Sequence, residues 1–543
     1  MADTKRVTGG EAVAESLLAH DVDTVFGIPG IQLDPLFDAF YNQQNRLKVI
    51  HTRHEQGSAF MAQGYAQSTG KTGVFAVVPG PGLLNAMAAV STAEACNAPV
   101  LGITGQIPSH QIGQGLGIAH ELRDQLAMSA GVVGWTRRAQ HPGEVGAVLA
   151  DAFAYMHGPR NRPAIFEMAP DQFLAAAAAS PPPRGVAFEH PVDEEALEKA
   201  AAIMAKAERP AILVGGGGMD VSDELTALAE RWQAPVILTN NGCGAIPSDH
   251  PLAMNMLAGQ RLWPNLDVVL AVGTRALAPT MAWGGAADLK LVRIDADAMQ
   301  ATKPGKPDVT ILSRARVGLA GLIDALPAAG PRTNFLAGCA EARDGVARDL
   351  AGLKPQAGYA AALRDVMPKD AILAVDVTQM ATFVRYGGFP FHEPRTMLAP
   401  GFQATLGYAL PAALGASVAN PGKKVVAIAG DGGFMFTVQE LATAVHHNIP
   451  VVAVVFDNKA FGNVKTIQAN QFGGRHIAVE LSNPDFAAMA RSFGMIGETA
   501  DSPETFRQAL DRCLAADGPA LIHVHIGETP SIWELVKRPS SAG

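Results

Sequence analysis

The sequence predicts an α/β protein of three doubly wound domains, each a parallel sheet covered by helices. Three observations lead there. Short β-branched runs such as VVAVVF at 451–456 alternate with stretches of helical periodicity, the pattern of parallel strands linked by crossover helices. Two shifts in composition divide the 543 residues into thirds. The outer thirds repeat one plan: a glycine turn, an apolar helix, then a strand entered through Asn-x-Pro-Val.

In the first third, 1–175, the stretch GPGLLNAMAAVSTAEACNAPVLGITG places Leu83, Met87 and Val90 at i, i+4 and i+7 of a helix, and Asn97-Ala98-Pro99-Val100 opens the next strand. From Ala175 to Pro191 polyalanine gives way to three consecutive prolines, which neither a helix nor a central strand tolerates, so this stretch reads as a linker. The middle third, 192–328, carries Gly215 to Gly218 directly after the apolar run AILV, a tight turn of the kind that also receives nucleotide phosphates. Between Ala325 and Gly358, ALPAAGPRTNF precedes the charged, helix-like AEARDGVARDLAGL, a crossover into the last third, 355–530. There GDGGFMFTVQELATAVHHNIPVVAVVFDN restates the plan of the first third. Val438, Leu441, Ala442 and Val445 share one helical face, and Asn448-Ile449-Pro450-Val451 enters the strand.

Composition removes several classes of function. With 48% hydrophobic and 17% charged residues the balance is that of a globular protein. A net charge of -9 and no Lys/Arg run argue against a nucleic-acid partner. Cys96, Cys243, Cys339 and Cys513 stand far apart, with neither zinc-ligand spacing nor a disulfide framework, which fits reduced thiols in the cytoplasm. The start, MADTKRVTGGEAVAESLLAH, lacks the apolar core of a leader, and no stretch approaches the roughly 18 apolar residues of a membrane span. A cytoplasmic location and no membrane partner are expected.

Chemistry concentrates at Gly430-Asp431-Gly432-Gly433, where an apolar strand hands over to a helix. Glycines there let backbone amides close on an anion. A carboxylate in the same place repels a phosphate unless a cation lies between them, so Asp431 suits a hard divalent ion such as Mg2+. Further oxygen ligands should come from the next strand end, VVAVVFDN, where Asn458 follows and the main-chain oxygen of Ala460 lies two residues on. Diphosphate oxygens and water would complete the shell.

Gly430 to Asn458 resembles the thiamin diphosphate motif. The similarity extends over essentially the whole chain to the acetolactate synthase-like enzymes, whose relatives include oxalyl-CoA decarboxylase and benzaldehyde lyase. It is carried by GGEAVAESLLAHDVDTVFGIPG, RHEQGSAFMAQGYAQSTGKTGV, TLGYALPAALGASVANP and GDGGFMFTVQELATAVHHNIPV. The resemblance implies an aminopyrimidine-binding, a central and a diphosphate-binding domain, with each active site between two subunits of a homodimer or homotetramer. Glu55 matches the activating glutamate that hydrogen-bonds the pyrimidine and makes its amino group basic, a role favoured by desolvation of the carboxyl. Leu406 takes the place of the bulky apolar support under the bent cofactor, with Ala404 beside it. The resemblance also implies main-chain contacts from around Ala404 and Leu406 to the aminopyrimidine, Thr378 and Gln379 at the diphosphate, and Pro29, Asn85, Gly432, Gly433, Phe461, Gly462 and Asn463 as further cofactor-binding residues.

The chain also departs from acetolactate synthases. After the metal-binding Asn it reads GNVKTIQ, so Asn463 replaces a Met and Ile467 a Trp of the acceptor pocket, which puts branched-chain acetolactate synthesis in doubt. His120 and Glu121, in GIAHELRDQLAM, stand where relatives carry pocket residues, and an imidazole there suits a proton donor. Only Arg275 remains of the family's Ala-Arg-Phe-Asp-Asp-Arg signature, which disfavours FAD or ADP in the central domain without excluding either. The expected reaction is thiamin diphosphate- and Mg2+-dependent decarboxylation of a small, pyruvate-like 2-oxo acid, with or without carboligation. The alternative is decarboxylation or cleavage of oxalyl-CoA or a 2-hydroxyacyl-CoA, suggested by Glu121 and by PGLLN but weakened by the short, mildly basic C-terminal stretch SIWELVKRPSSAG.

Overall fold

A computed structural model describes residues 6–285 and 288–536. The two ends of the chain, on which the expectations about a leader and about the basic C-terminal stretch partly rest, lie outside the described residues. Three six-stranded sheets, all parallel, form the α/β framework.

The first sheet orders its strands Lys48–His51, Thr24–Gly27, Gly73–Val77, Val100–Thr104, Ala164–Met168 and Thr136–Ala139. The third runs Met397–Leu398, Ile372–Val375, Val425–Gly430, Val451–Asp457, Ala520–His525 and Ile496–Ala500. Numbered within each sheet, both follow the order 2-1-3-4-6-5, so the plan shared by the outer thirds extends from one helix and strand to whole sheets. The middle sheet instead follows 3-2-1-4-5-6, from Pro210–Val214 outward on both sides.

Local sequence accounts for the elements. Helix Pro81–Cys96 starts on Pro at N1 and ends on Asn97 in the left-handed region. It buries Leu83, Met87 and Val90, each contributing about 1.5–3 kcal/mol of apolar transfer. The corresponding helix of the third domain is shorter than its periodicity predicts. It spans Glu440–His446 with Leu441 fully buried, whereas Val438 sits in the turns that precede it. A separate short helix, Asp431–Phe434, takes over directly from the glycine-rich strand end, and those turns join it to Glu440–His446. The crossover helix runs Thr333–Gly352. Ala176–Ala178, within the stretch read as linker, pairs antiparallel with Arg6–Thr8 and so fastens that stretch to the first domain.

The outer domains of one chain are locked together. Helix Glu55–Thr69 crosses Ala409–Ala419 so closely that a Cβ at Gly64 would collide with the backbone of Ala412, and one at Gly415 with that of Met61. Phe60, Met61, Tyr408, Leu414 and Phe434 join one buried cluster across this seam.

Candidate active site

Parallel sheets open their ligand crevice at the carboxyl ends of the strands, where the strand order reverses. In the third sheet that point lies between Ile372–Val375 and Val425–Gly430. Thr378 and Gln379 follow the first strand, and Asp431, Gly432 and Gly433 follow the second. Asn458, Ala460, Phe461, Gly462 and Asn463 leave the next strand, and Leu406 arrives from a separate loop. All of these predicted residues line one pocket.

Two buried acids build the pocket from below. Asp376 accepts hydrogen bonds from the backbone of Val377 at 2.7 Å and of Gly407 at 3.0 Å, which ties the Leu406 loop to the strand end. Burial pushes its carboxyl up to about 6. Asp457, the last residue of its strand, accepts from His523 at 3.0 Å, from the Lys459 amide at 2.9 Å and from Asn483 at 2.8 Å. These donors outweigh its burial and hold its carboxyl below the usual range. The same Asn483 amide donates to Asp431 at 2.7 Å. Asp431 is 2% exposed, and burial together with the charge of Asp457 pushes its carboxyl upward.

A hard divalent cation fits this arrangement. Two neighbouring carboxylates share one amide donor, so the corner carries excess negative charge. Asn458 donates its Nδ2 to Gln379 at 3.3 Å, and its Oδ1 accepts no hydrogen bond among the described residues. Beyond it Lys459 adopts a left-handed φ of 56°, and the chain pairs with 479–481 through Phe461 N to Val479 O at 2.8 Å and Leu481 N to Lys459 O at 2.8 Å. Gly462 has no room for a side chain: a Cβ would lie 2.7 Å from Asn458 Nδ2 and 3.0 Å from the Gln379 oxygen.

The other predicted residues do not line this pocket. Glu55 opens helix Glu55–Thr69, capped by His54 whose ring accepts from Gln56 N at 3.2 Å. Its Oε2 accepts from Asn85 Nδ2 at 3.0 Å, so these two predicted residues do meet. Pro29 is exposed on the loop after strand Thr24–Gly27. His120 has a left-handed φ of 68° and its Nδ1 lies 2.9 Å from Gln32 Oε1 on that same loop. Glu121 spends its carboxylate on its own loop, accepting from Leu116 N at 3.3 Å and Ile118 N at 3.1 Å. Ala404 is exposed with a left-handed φ of 53°. The predicted residues therefore fall into two groups: one lining the pocket at the carboxyl ends of the third sheet, the other, with the Glu55–Asn85 pair and His120, following strands of the first.

Residue patterns matching thiamine pyrophosphate enzymes cover the chain in three blocks: the N-terminal TPP-binding domain at 7–128, the central domain at 197–322 and the C-terminal TPP-binding domain at 376–524. The chain belongs to the thiamine pyrophosphate enzyme family. It is 34% identical to a probable 2-ketoarginine decarboxylase of Pseudomonas aeruginosa over 91% of this chain and 89% of that one. It is 32% identical to the acetolactate synthase isozyme 2 large subunit of Escherichia coli K12, over 98% and 97%. A probable acetolactate synthase large subunit of Methanocaldococcus jannaschii is also 32% identical, over 95% and 92%. The acetolactate synthase-like branch suggested by the motifs is thus the right one, and thiamin diphosphate is its cofactor. No helix among the described residues is long and apolar enough to cross a membrane.

Sequence reasoning passed over Asp376, Asp457, Asn483, His523 and Glu440. Glu440 is fully buried and accepts from the amides of Arg53 and His54, at 3.2 and 3.1 Å, and from the Thr443 hydroxyl at 2.6 Å. It thereby holds the two residues that lead into Glu55. Burial pushes its carboxyl up to about 7. A carboxyl raised on folding stabilises the fold most below its unfolded value, near 4.5, and loses that contribution as pH climbs to about 7. Apoprotein melts at pH 5 and pH 8 are expected to show wild type losing about 2.5 kcal/mol more across that window than Glu440→Gln. Equal pH slopes for the two proteins would show that Glu440 is not the titrating group.

Proposed function

We propose that this enzyme decarboxylates a small 2-oxo acid of the pyruvate type with thiamin diphosphate and Mg2+, with or without ligation of the remaining fragment to a second carbonyl. The observation that carries the reading is the oxygen-lined corner of Asp431, Asn458 and Ala460, at the switch point of a sheet from the thiamine pyrophosphate family. The two most informative relatives support the substrate class, since one is named for a 2-keto acid and the other for acetolactate synthesis.

Asp431, Asn458 and the main-chain oxygen of Ala460 would hold Mg2+, and Thr378, Gln379, Gly432 and Gly433 would receive the diphosphate. Bound thiamin diphosphate supplies a carbon nucleophile for the 2-oxo carbonyl and an electron sink for loss of carbon dioxide. The residues of this chain do the rest. Asn85 occupies Glu55 Oε2, which leaves Oε1 to hold and return a proton at the pyrimidine. His120, oriented by Gln32, gives a proton to the product, and Glu121 fixes the loop that carries it. Leu406 supports the cofactor, with Ala404 and Pro29 flanking it. Asn463 and Ile467 replace two bulky groups of the acetolactate synthase acceptor pocket and widen it.

Glu55 and Asp431 serve one reaction from separate half-sites, which supports a homodimer or homotetramer with Glu55 reaching the pocket of a second copy. Leu84, Phe402, Met435 and Phe436, exposed beside Asn85, Ala404 and Gly433, give that copy apolar surface to bury. The same reading sets the domains at 1–175 for the aminopyrimidine, 192–328 for the centre and 355–530 for the diphosphate.

Purified protein with Mg2+ and thiamin diphosphate, offered a panel of 2-oxo acids and acyl-CoA esters, is expected to release carbon dioxide from short 2-oxo acids. Following carbon dioxide and carbon products together separates decarboxylation from ligation. Release from acyl-CoA esters alone would overturn the reading.

A further inference from the structure

We propose that His51, His446 and His447 form a transition-metal site, of the kind that takes Zn2+, clipping the first domain to the third. His51 ends strand Lys48–His51 of the first sheet. His446 ends helix Glu440–His446 of the third domain, and His447 caps it. The three rings meet in mutual edge contact, with centroids 4.5, 4.7 and 4.7 Å apart. One nitrogen from each lies within 4.8 Å of the others.

The spacing suits coordination. His447 Nε2 and His51 Nδ1 are 3.2 Å apart. Two nitrogens bound to one tetrahedral zinc at 2.0–2.1 Å stand about 3.3 Å from each other, so this pair already holds a ligand edge. His446, whose nitrogen lies within 4.8 Å of the other two, closes the triangle by a movement of up to about 1.5 Å, within the rotamer freedom of an exposed side chain. Three imidazoles with one open position bind Zn2+, Co2+, Ni2+ or Cu2+ in preference to Mg2+, which keeps to oxygen. The site is therefore chemically distinct from the corner at Asp431. Lys48 and Arg53 flank it, but both side chains are exposed and their charge is screened by water. A plain hydrogen bond from His447 Nε2 to the carbonyl oxygen of His51, 3.2 Å away, accounts for two of the rings and leaves His446 without a role.

The position gives the metal a consequence. Helix Glu440–His446 grips the amides of Arg53 and His54 at its N-terminal end, through Glu440, and meets His51 at the other. A metal there fixes the segment 51–54 at both ends, directly before Glu55.

The test uses chelator-stripped protein reloaded with saturating Mg2+ and thiamin diphosphate, so that the Asp431 corner is filled, and then titrated with Zn2+ or Co2+. Wild type is expected to bind one equivalent of Zn2+ tightly, to melt several degrees higher with it, and to give the intense visible bands of four-coordinate Co2+. His446→Ala, at an exposed position, is expected to melt like metal-free wild type, to weaken Zn2+ binding by at least ~10-fold and to lose the cobalt bands. Equal Zn2+ binding by wild type and His446→Ala would overturn the proposal. So would loss of binding in His525→Ala alone, which would assign the ion to the Asp457, His523 and His525 group.

Discussion

Glu55→Gln is expected to lower turnover by roughly 10²–10⁴ while leaving the fold and cofactor binding close to wild type. The amide keeps an oxygen for Asn85 Nδ2, now 3.0 Å from Glu55 Oε2, so the local geometry survives. What it loses is the ability to hold a proton at one moment and return it at the next. The side chain is half-buried at the first position of its helix, so the structural loss is limited to an acid in the first turn, about 0.3–1 kcal/mol. Carbon dioxide release from the best 2-oxo acid, beside calorimetric binding of thiamin diphosphate, separates the two effects. A variant within threefold of wild-type turnover would remove Glu55 from proton transfer.

The fold was legible because its main signals are local. Leu83, Met87 and Val90 announce a helix by spacing, and the short, β-branched run VVAVVF reads as a strand buried on both faces. Asp431 and Asn458 were legible for a related reason, since both sit where a strand must end and parallel order brings those ends together. The residues that escaped notice act across the chain. Asn483 joins Asp431 to Asp457, and Glu440 reaches back nearly four hundred positions to Arg53 and His54. No periodicity records such partners; a buried acid one residue after VQ in a helical run looks like any solvated helix start. His446 and His447 read as the polar end of a helix, and only the packing of the outer domains brings His51 against them.

Asp431→Asn is expected to cost far more function than structure, and in the apoprotein to increase stability. Asp431 is 2% exposed beside the also buried Asp457, and one Asn483 amide, at 2.7 and 2.8 Å, serves both carboxylates. Neutralising one of them relieves that repulsion, while the amide oxygen keeps the bond to Asn483. The apoprotein should therefore melt on the order of a few degrees higher than wild type. The same change removes a full negative charge from the oxygen set offered to Mg2+, whose affinity depends on ligand charge. Holoenzyme formation should then need at least ~100-fold more Mg2+ and thiamin diphosphate, a loss on the order of 3 kcal/mol. Scanning calorimetry of the apoprotein, paired with reconstitution titrations, reads both halves. If Asp431 were only a turn residue, stability would fall or stay level and cofactor affinity would not move. An increase in the first with a collapse of the second is the signature of a carboxylate kept for a cation against the interest of the fold.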